Sequence, residues 1–471
     1  MKGFLLVFLA LVPVLSGQIV PLSGTYLGDF QRNFYGDQAP SRLRVKWKTY
    51  LGSGKTDLGR MGIKTWRGAG WTGQPLVISE NGGIFLIQGT LSHHLKKIRA
   101  RDGKVVWSTS LGDVIKGTPT FVDCKKGTPE ERYVLVTGSR EGFGSGYLRG
   151  PARSLHGVSY LTGKILWQHE SRRTQSNSRD VDGSAVVFGP DKVGVPLENG
   201  FFTILSPRAS GTKSGNGMPT PKIRKQFRLF EDADLQVYRG ELATESSPTL
   251  YRGKAYIAAG PGRLYRIGLG MFGGKGWKLS IGGDLNGSMP VTNDGHLLVG
   301  IEKQFIPGQG GVMKVKPGGK PVWFSPTPDR KFFGWQGGLV GSPSVNHRYR
   351  SPVSSDLACH VGVEGQLTLI NHKKLQPGVE VWNPLRTKKL PRPLVLDQVQ
   401  LPTGSISTPL FVGDKILVGY DNGLDLYQVT PQQKLQRLDR LAGPMFDATP
   451  VVWGGLVYAA SKNGYLYCLG Q

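Results

Sequence analysis

Asp182, Glu245, Asp284, Asn286 and Asp447 stand at or just ahead of a phrase in which small residues, usually with a Pro, lead into a β-branched or apolar run. It reads GQPLVI from Gly73, GTPTFV from Gly117, GSAVVF from Gly183, SSPTLY from Ser246, GSMPVT from Gly287, GSPSVN from Gly341, ISTPLF from Ile406 and DATPVV from Asp447. Carboxylate and amide oxygens are hard donors, suited to Ca²⁺ or to sugar hydroxyls. Clustered carboxylates also shift one another's pKa, which supplies a proton acceptor. Asp, Asn and Gly are favoured in turns for conformational reasons alone, so a structural role accounts for the same pattern. Trp71, ahead of the first phrase, can stack a flat ring or sugar, or plug the space between loops.

Other chemical candidates carry less. His93 and His94 are neighbours on a strand pattern, which sends their side chains to opposite faces and works against joint metal ligation. His360 follows Cys359 with the same consequence. The glycine-rich SREGFGSG from Ser139 precedes no helix, so it lacks the helix N-terminus that cradles phosphate. Cys124, Cys359 and Cys468 form no CxxC or adjacent pair, which removes thioredoxin-like, covalent haem and zinc-ribbon chemistry.

A second phrase shows what must position these residues: a Gly, three residues, then Trp. It occurs at Gly103 to Trp107, Gly163 to Trp167, Gly273 to Trp277, Gly319 to Trp323 and Gly378 to Trp382, with Phe227 as a substituted copy. Alternating strands after a glycine turn, such as GRLYRIGL from Gly262 and GYLYCLG from Gly464, complete each unit. Each unit therefore reads as four strands, A to D, and units of that size are the mark of a β-propeller. The last unit ends after its third strand, and RLRVKWKTYLG with Trp47 supplies the missing one from the other end of the chain. The predicted fold is all-β: an eight-bladed β-propeller of four-stranded blades, with the last blade closed by the N-terminal strand.

The Gly-x-x-x-Trp phrase with its preceding alternating strand, as in LKKIRARDGKVVW, resembles the repeat of the pyrroloquinoline-quinone (PQQ) dehydrogenase-like propeller superfamily, which holds quinoprotein alcohol dehydrogenases and the non-catalytic assembly factor BamB. The resemblance covers residues 42–471. It implies blade-packing roles for Trp47, Trp107, Trp167, Trp277, Trp323 and Trp382, with Phe227 in the third blade and only aliphatic residues near Leu435 in the seventh. It allows PQQ and Ca²⁺ as cofactors without assuring either. The adjacent cysteines that cover the quinone in many of those enzymes have no counterpart, and their Ca²⁺ ligands match no definite positions. The lipidated cysteine and acidic character of the assembly factor are also missing.

In a propeller, the D-to-A and B-to-C connections lie on one face, around the mouth of the central channel. That places Trp71, Arg140, Asp182, Glu245, Asp284, Asn286 and Asp447 on a candidate ligand-binding face, with Glu141, Glu198, Glu302 and Glu364 beside them. No catalytic residue is assigned. Overall, 59 Lys and Arg against 33 Asp and Glu give a net charge of +26, which favours anionic surfaces. An envelope protein or an anionic polysaccharide is the expected partner, nucleic acid is not, and a monomer is expected. Residues 1–17 read as a cleaved signal peptide, since one Lys precedes an apolar run too short to span a bilayer. Residues 18–41 read as an extended segment, and the mature chain as exported, periplasmic or secreted. The leading functional reading is a ligand- or protein-binding module; the alternative is a PQQ- and Ca²⁺-dependent alcohol or sugar dehydrogenase.

Overall fold

Short antiparallel strands, each paired with its sequence neighbour, build eight sheets in chain order, the blades of a propeller. The computed structural model describes residues 18–140, 152–270 and 273–471. The expected signal peptide and Glu141 lie outside the described residues. Inner strands are buried along their whole length, as in Leu297–Ile301 and Leu357–Val361. Outermost strands such as Val105–Ser110 alternate between half-buried and exposed residues, the pattern of a sheet edge with one face in water. Arg44–Tyr50 pairs with Tyr465–Gly470 and closes the eighth blade, with Trp47 opposite Cys468, as the sequence predicts.

The Gly-x-x-x-Trp phrase has a physical cause. The indole of Trp47 donates to Ala100 O at 3.0 Å, Trp107 to Tyr160 O at 3.1 Å, Trp167 to Pro207 O at 2.6 Å, Trp277 to Pro317 O at 2.9 Å and Trp323 to His372 O at 2.9 Å, each time in the following blade. The ring packs against the glycine turn of that next blade. A Cβ on Gly103 would lie 2.7 Å from the Trp47 ring, and one on Gly163 would lie 2.9 Å from the Trp107 ring. Both turns also need positive φ, 72° and 76°, so Gly serves two purposes at once. Phe227 is buried against the fourth blade.

Trp382 departs from the expected packing role. It ends the long strand Gln366–Trp382, which with Lys389–Gln400 makes a hairpin extending past the blade, and it is 51% exposed with Lys389 over its ring. The spacing is matched, but the insertion carries the residue off the blade junction. Blade 5 also differs, having three strands plus a single bridge from Val291 to Leu297. Pro290 has no N–H to give, and the Val291 N–H is taken by Gln31 O at 3.0 Å.

That last contact belongs to an arrangement the sequence did not disclose. Ile19–Ser23 adds a fifth strand to blade 1, pairing with Leu76–Glu80. Residues 24–36 then cross the central channel and touch the inner segment of every blade. Leu27 N–H donates to Gln74 Oε1, the Thr25 and Thr120 hydroxyls pair, and Arg32 donates to Ala185 O and Pro248 O. Leu250 and Val291 donate to Phe30 O and Gln31 O, Val345 N–H donates to the Tyr35 hydroxyl, the Tyr26 hydroxyl meets Thr408, and Val452 donates to Tyr35 O. Tyr26, Leu27, Arg32, Asn33 and Tyr35 are buried. Asp37 accepts from Gly454 N–H and Asp29 pairs with Arg348, both in A-to-B turns, so the segment fills the channel from the face opposite the mouth. A separate hairpin, Ser53–Asp57 with Ile63–Arg67, stands outside the ring on the mouth face.

Candidate functional site

The residue at the head of each strand-A phrase, or just ahead of it, lies in the connection at the channel mouth, and going round the ring these are Thr72, Lys116, Asp182, Glu245, Asn286, Val340, Ile406 and Asp447. Blades 2 to 5 contribute a charged and amide wall. Blades 6 and 7 contribute an apolar one, where Val340, Val363 and Ile406 are buried and Trp71, Phe332 and Trp335 pack on them. Trp71, in the connection into blade 1, is half-buried and packs on this wall.

The polar wall is dense. Lys116 Nζ lies 2.5 Å from Asp182 and 3.5 Å from Asp180, and Arg140 Nη1 lies 3.1 Å from Asp180. Asp182, Glu198 and Glu245 each offer an oxygen within 4.8 Å of the others. Asn286 Nδ2 donates to Glu302 Oε2 at 3.0 Å, and Asp284 and Glu302 are bridged through their backbones. Asp182, Glu198 and Glu302 are buried; Oδ2 of Asp182 meets Lys116, while Oδ1 of Asp182 and Oε1 of Glu198 have no hydrogen-bond partner. Asp447 stands apart from this group, paired with Lys462 at 3.4 Å in blade 8.

The electrostatics follow from burial. Loss of hydration, reinforced by neighbouring carboxylates, pushes Glu245 up to about 8 despite Lys116, and does the same to Glu302, which also reaches about 8 beside Glu245. Glu198 and Asp284 rise well above the carboxylate range for the same two reasons, burial first. Burial works against the Lys116 ammonium, but Asp182, Glu198, Asp180 and Glu245 outweigh it and hold its pKa well above the lysine value. The wall is therefore a set of acids organised on one internal cation, with some of its members protonated near neutral pH.

Sequence reasoning missed Lys116. Its signal was available, because Lys116 stands ahead of GTP in blade 2 as Asp182 stands ahead of GSA in blade 3. Of the remaining candidates, His93 borders the mouth cluster through Asp113, which lies 4.0 Å from Arg140. His93 Nε2 lies 3.8 Å from Asp113, while His94 Nδ1 contacts Ser92 O. His360 is buried, which lowers it to about 4 and keeps it neutral. The three cysteines are free, buried and unpaired.

The family model described as outer membrane protein assembly factor BamB matches residues 45–271. Residues 45–271 thus match a PQQ-like repeat family, and the described chain as a whole has the β-propeller fold. Among solved structures, BamB from Moraxella catarrhalis is similar at a TM-score of 0.56, with 14% identity over 91% of this chain and 100% of that one. Quinohemoprotein alcohol dehydrogenase from Comamonas testosteroni is similar at 0.55, with 14% identity over 95% of this chain and 81% of that one. At such identities the likeness carries the fold and leaves activity open. No curated protein matches this chain in sequence.

Proposed function

We propose that this propeller is an exported binding module of the cell envelope or extracellular space. Its acidic mouth takes a cationic or hydroxyl-rich group, and its basic flanks hold anionic envelope material. One observation carries this reading: acidic side chains cluster at one place in a chain whose net charge is +26. The connections around the mouth hold the carboxylate cluster. Exposed Lys and Arg lie on outer strands, as at Lys46, Lys48 and Lys225, in turns of the opposite face, as at Arg252, Lys316 and Lys320, and on the mouth-face hairpin, as at Lys55, Lys64 and Arg67. The apolar run within residues 1–17 supports export, and no helix among the described residues is long and apolar enough to cross a membrane. Likeness to BamB supports a protein or envelope partner. Pull-down from envelope fractions at low and high salt tests the reading: salt-sensitive recovery supports it, and recovery of no envelope component at either salt contradicts it.

The dehydrogenase reading keeps one supporting observation. Asp182, Glu198 and Glu245 are suitable donors for Ca²⁺, with oxygens close together and Oδ1 of Asp182 and Oε1 of Glu198 unpartnered. When bound, Ca²⁺ would supply Lewis acidity and PQQ an electron sink. Glu245 or Glu302 would hold or take a proton, and Lys116, already 2.5 Å from Asp182, would compete for the cation's place. Adding PQQ and Ca²⁺ to the purified protein separates the two readings. Dye-linked alcohol or sugar oxidation with thermal stabilisation would establish the enzyme, and silence in absorbance, stability and turnover would remove it.

A further inference from the structure

We propose that the groove between blades 8 and 1, on the face opposite the mouth, is a binding site for an anionic ligand with a flat apolar face, and that its source is a uronic-acid residue of an envelope polysaccharide. This rests on the basic-flank reading above and gives it a specific site.

The groove encloses a cavity of about 700 Å³ walled by Ile84, Phe85, Trp453, Leu456 and Tyr458, with Arg99 and Arg101 on the rim. That volume suits a ligand of one or a few sugar units. Two of the aromatic walls are braced from behind: Phe34 meets the Trp453 ring edge-on at 6.5 Å, and Trp47 lies 6.0 Å from Tyr458. The tight turns at Gly82 and at Gly454-Gly455 leave the groove open, since a Cβ at any of the three would meet nothing within 4 Å. Apolar walls beside a guanidinium fit a sugar whose C–H face stacks and whose carboxylate is held by charge.

The charge balance selects an anion. Asp102 is bound by Arg99 through both oxygens, at 2.9 and 3.0 Å, and Arg101 approaches it only to 3.7 Å with a side chain 76% exposed. Glu80, which also borders the groove, is committed to Lys97 at 2.5 Å and to the Tyr160 hydroxyl at 2.8 Å. One guanidinium is therefore left over at the rim. Exposed Lys104 lies on the adjoining turn, and further basic residues cover the same face. Only a polymer with repeated charge engages such a field together with the groove, which favours an acidic polysaccharide over a small aromatic acid.

The test titrates the full chain with size-defined oligogalacturonate, with its neutral reduced counterpart and with naphthoate, by calorimetry at two salt concentrations. Oligogalacturonate is expected to bind and the neutral form to fail. Trp453→Ala and Arg101→Gln are each expected to weaken binding about tenfold, with only the Arg101 change reducing the salt dependence. Trp453→Phe should retain most of the affinity, and Lys331→Gln, an equal charge loss at an exposed position of the mouth-face connection from blade 5 to blade 6, should leave it unchanged. If wild type binds while Arg101→Gln and Trp453→Phe and Trp453→Ala all bind as wild type does, the groove is overturned and the basic-flank reading survives. If wild type binds no anionic ligand, both fall. If naphthoate binds and oligogalacturonate does not, the polysaccharide assignment is overturned.

Discussion

Replacing Glu245 with Gln should make the protein more stable at mildly alkaline pH and flatten its stability profile. Burial raises Glu245 from the ordinary 4.5 to about 8, so the folded state retains a proton there that the unfolded chain has already lost. A group raised in this way contributes stability that is full below its unfolded pKa and is lost as pH rises through the folded one. The cost is about 1.4 kcal/mol per pH unit while the folded group stays protonated, or up to about 2 kcal/mol between about pH 6.5 and 8. Glu302, also raised to about 8, adds a similar loss in wild type. Below about pH 6.5 the trend is opposed by His156, His169, His360 and His372, each lowered by burial to about 4, which stabilise as pH rises through the 4 to 6.5 range. The informative window is therefore above it. Urea unfolding of wild type and Glu245→Gln at several pH values in that window should give a falling wild-type curve and a variant slope shallower by about 1.4 kcal/mol per pH unit. Parallel curves, or wild-type stability that rises with pH, would refute the electrostatic description of the mouth.

Three further outcomes follow from packing and pairing. Trp323→Phe, which removes the indole donor to His372 O at a fully buried junction, should cost about 2 kcal/mol, while Trp382→Phe on the exposed hairpin should change stability by less than about 0.5 kcal/mol in thermal unfolding. Arg32→Met should destabilise by about 2 to 4 kcal/mol in urea unfolding, because Pro248 O and Tyr26 O lose their donors inside the channel. Lys116→Met, which strips the internal cation from the carboxylates around it, should cost about 3 kcal/mol at neutral pH, as read by the same unfolding series.

The ring was legible because its signals repeat. Gly103 and Trp107 recur as a pair since a turn in one blade receives an indole from the blade before it, and the clasp by Arg44–Tyr50 followed from an incomplete last unit. What does not repeat was not legible. Residues 24–36 form no periodic pattern, because each one answers a different blade, and their hydrogen bonds span up to several hundred positions of sequence. Trp382 matched the spacing yet left the junction, since an insertion had lengthened its hairpin. At the mouth, the acidic positions could be placed by topology, but their organisation on Lys116 depended on aligning a basic residue with acidic ones at the same repeat position.

The most direct test of the account is sedimentation of the purified chain with envelope material at about 0.05 M and about 1 M salt, where the screening length falls to about 3 Å. The account predicts that the protein pellets with the envelope at low salt and is released at high salt. A protein that stays in the supernatant at low salt would contradict it.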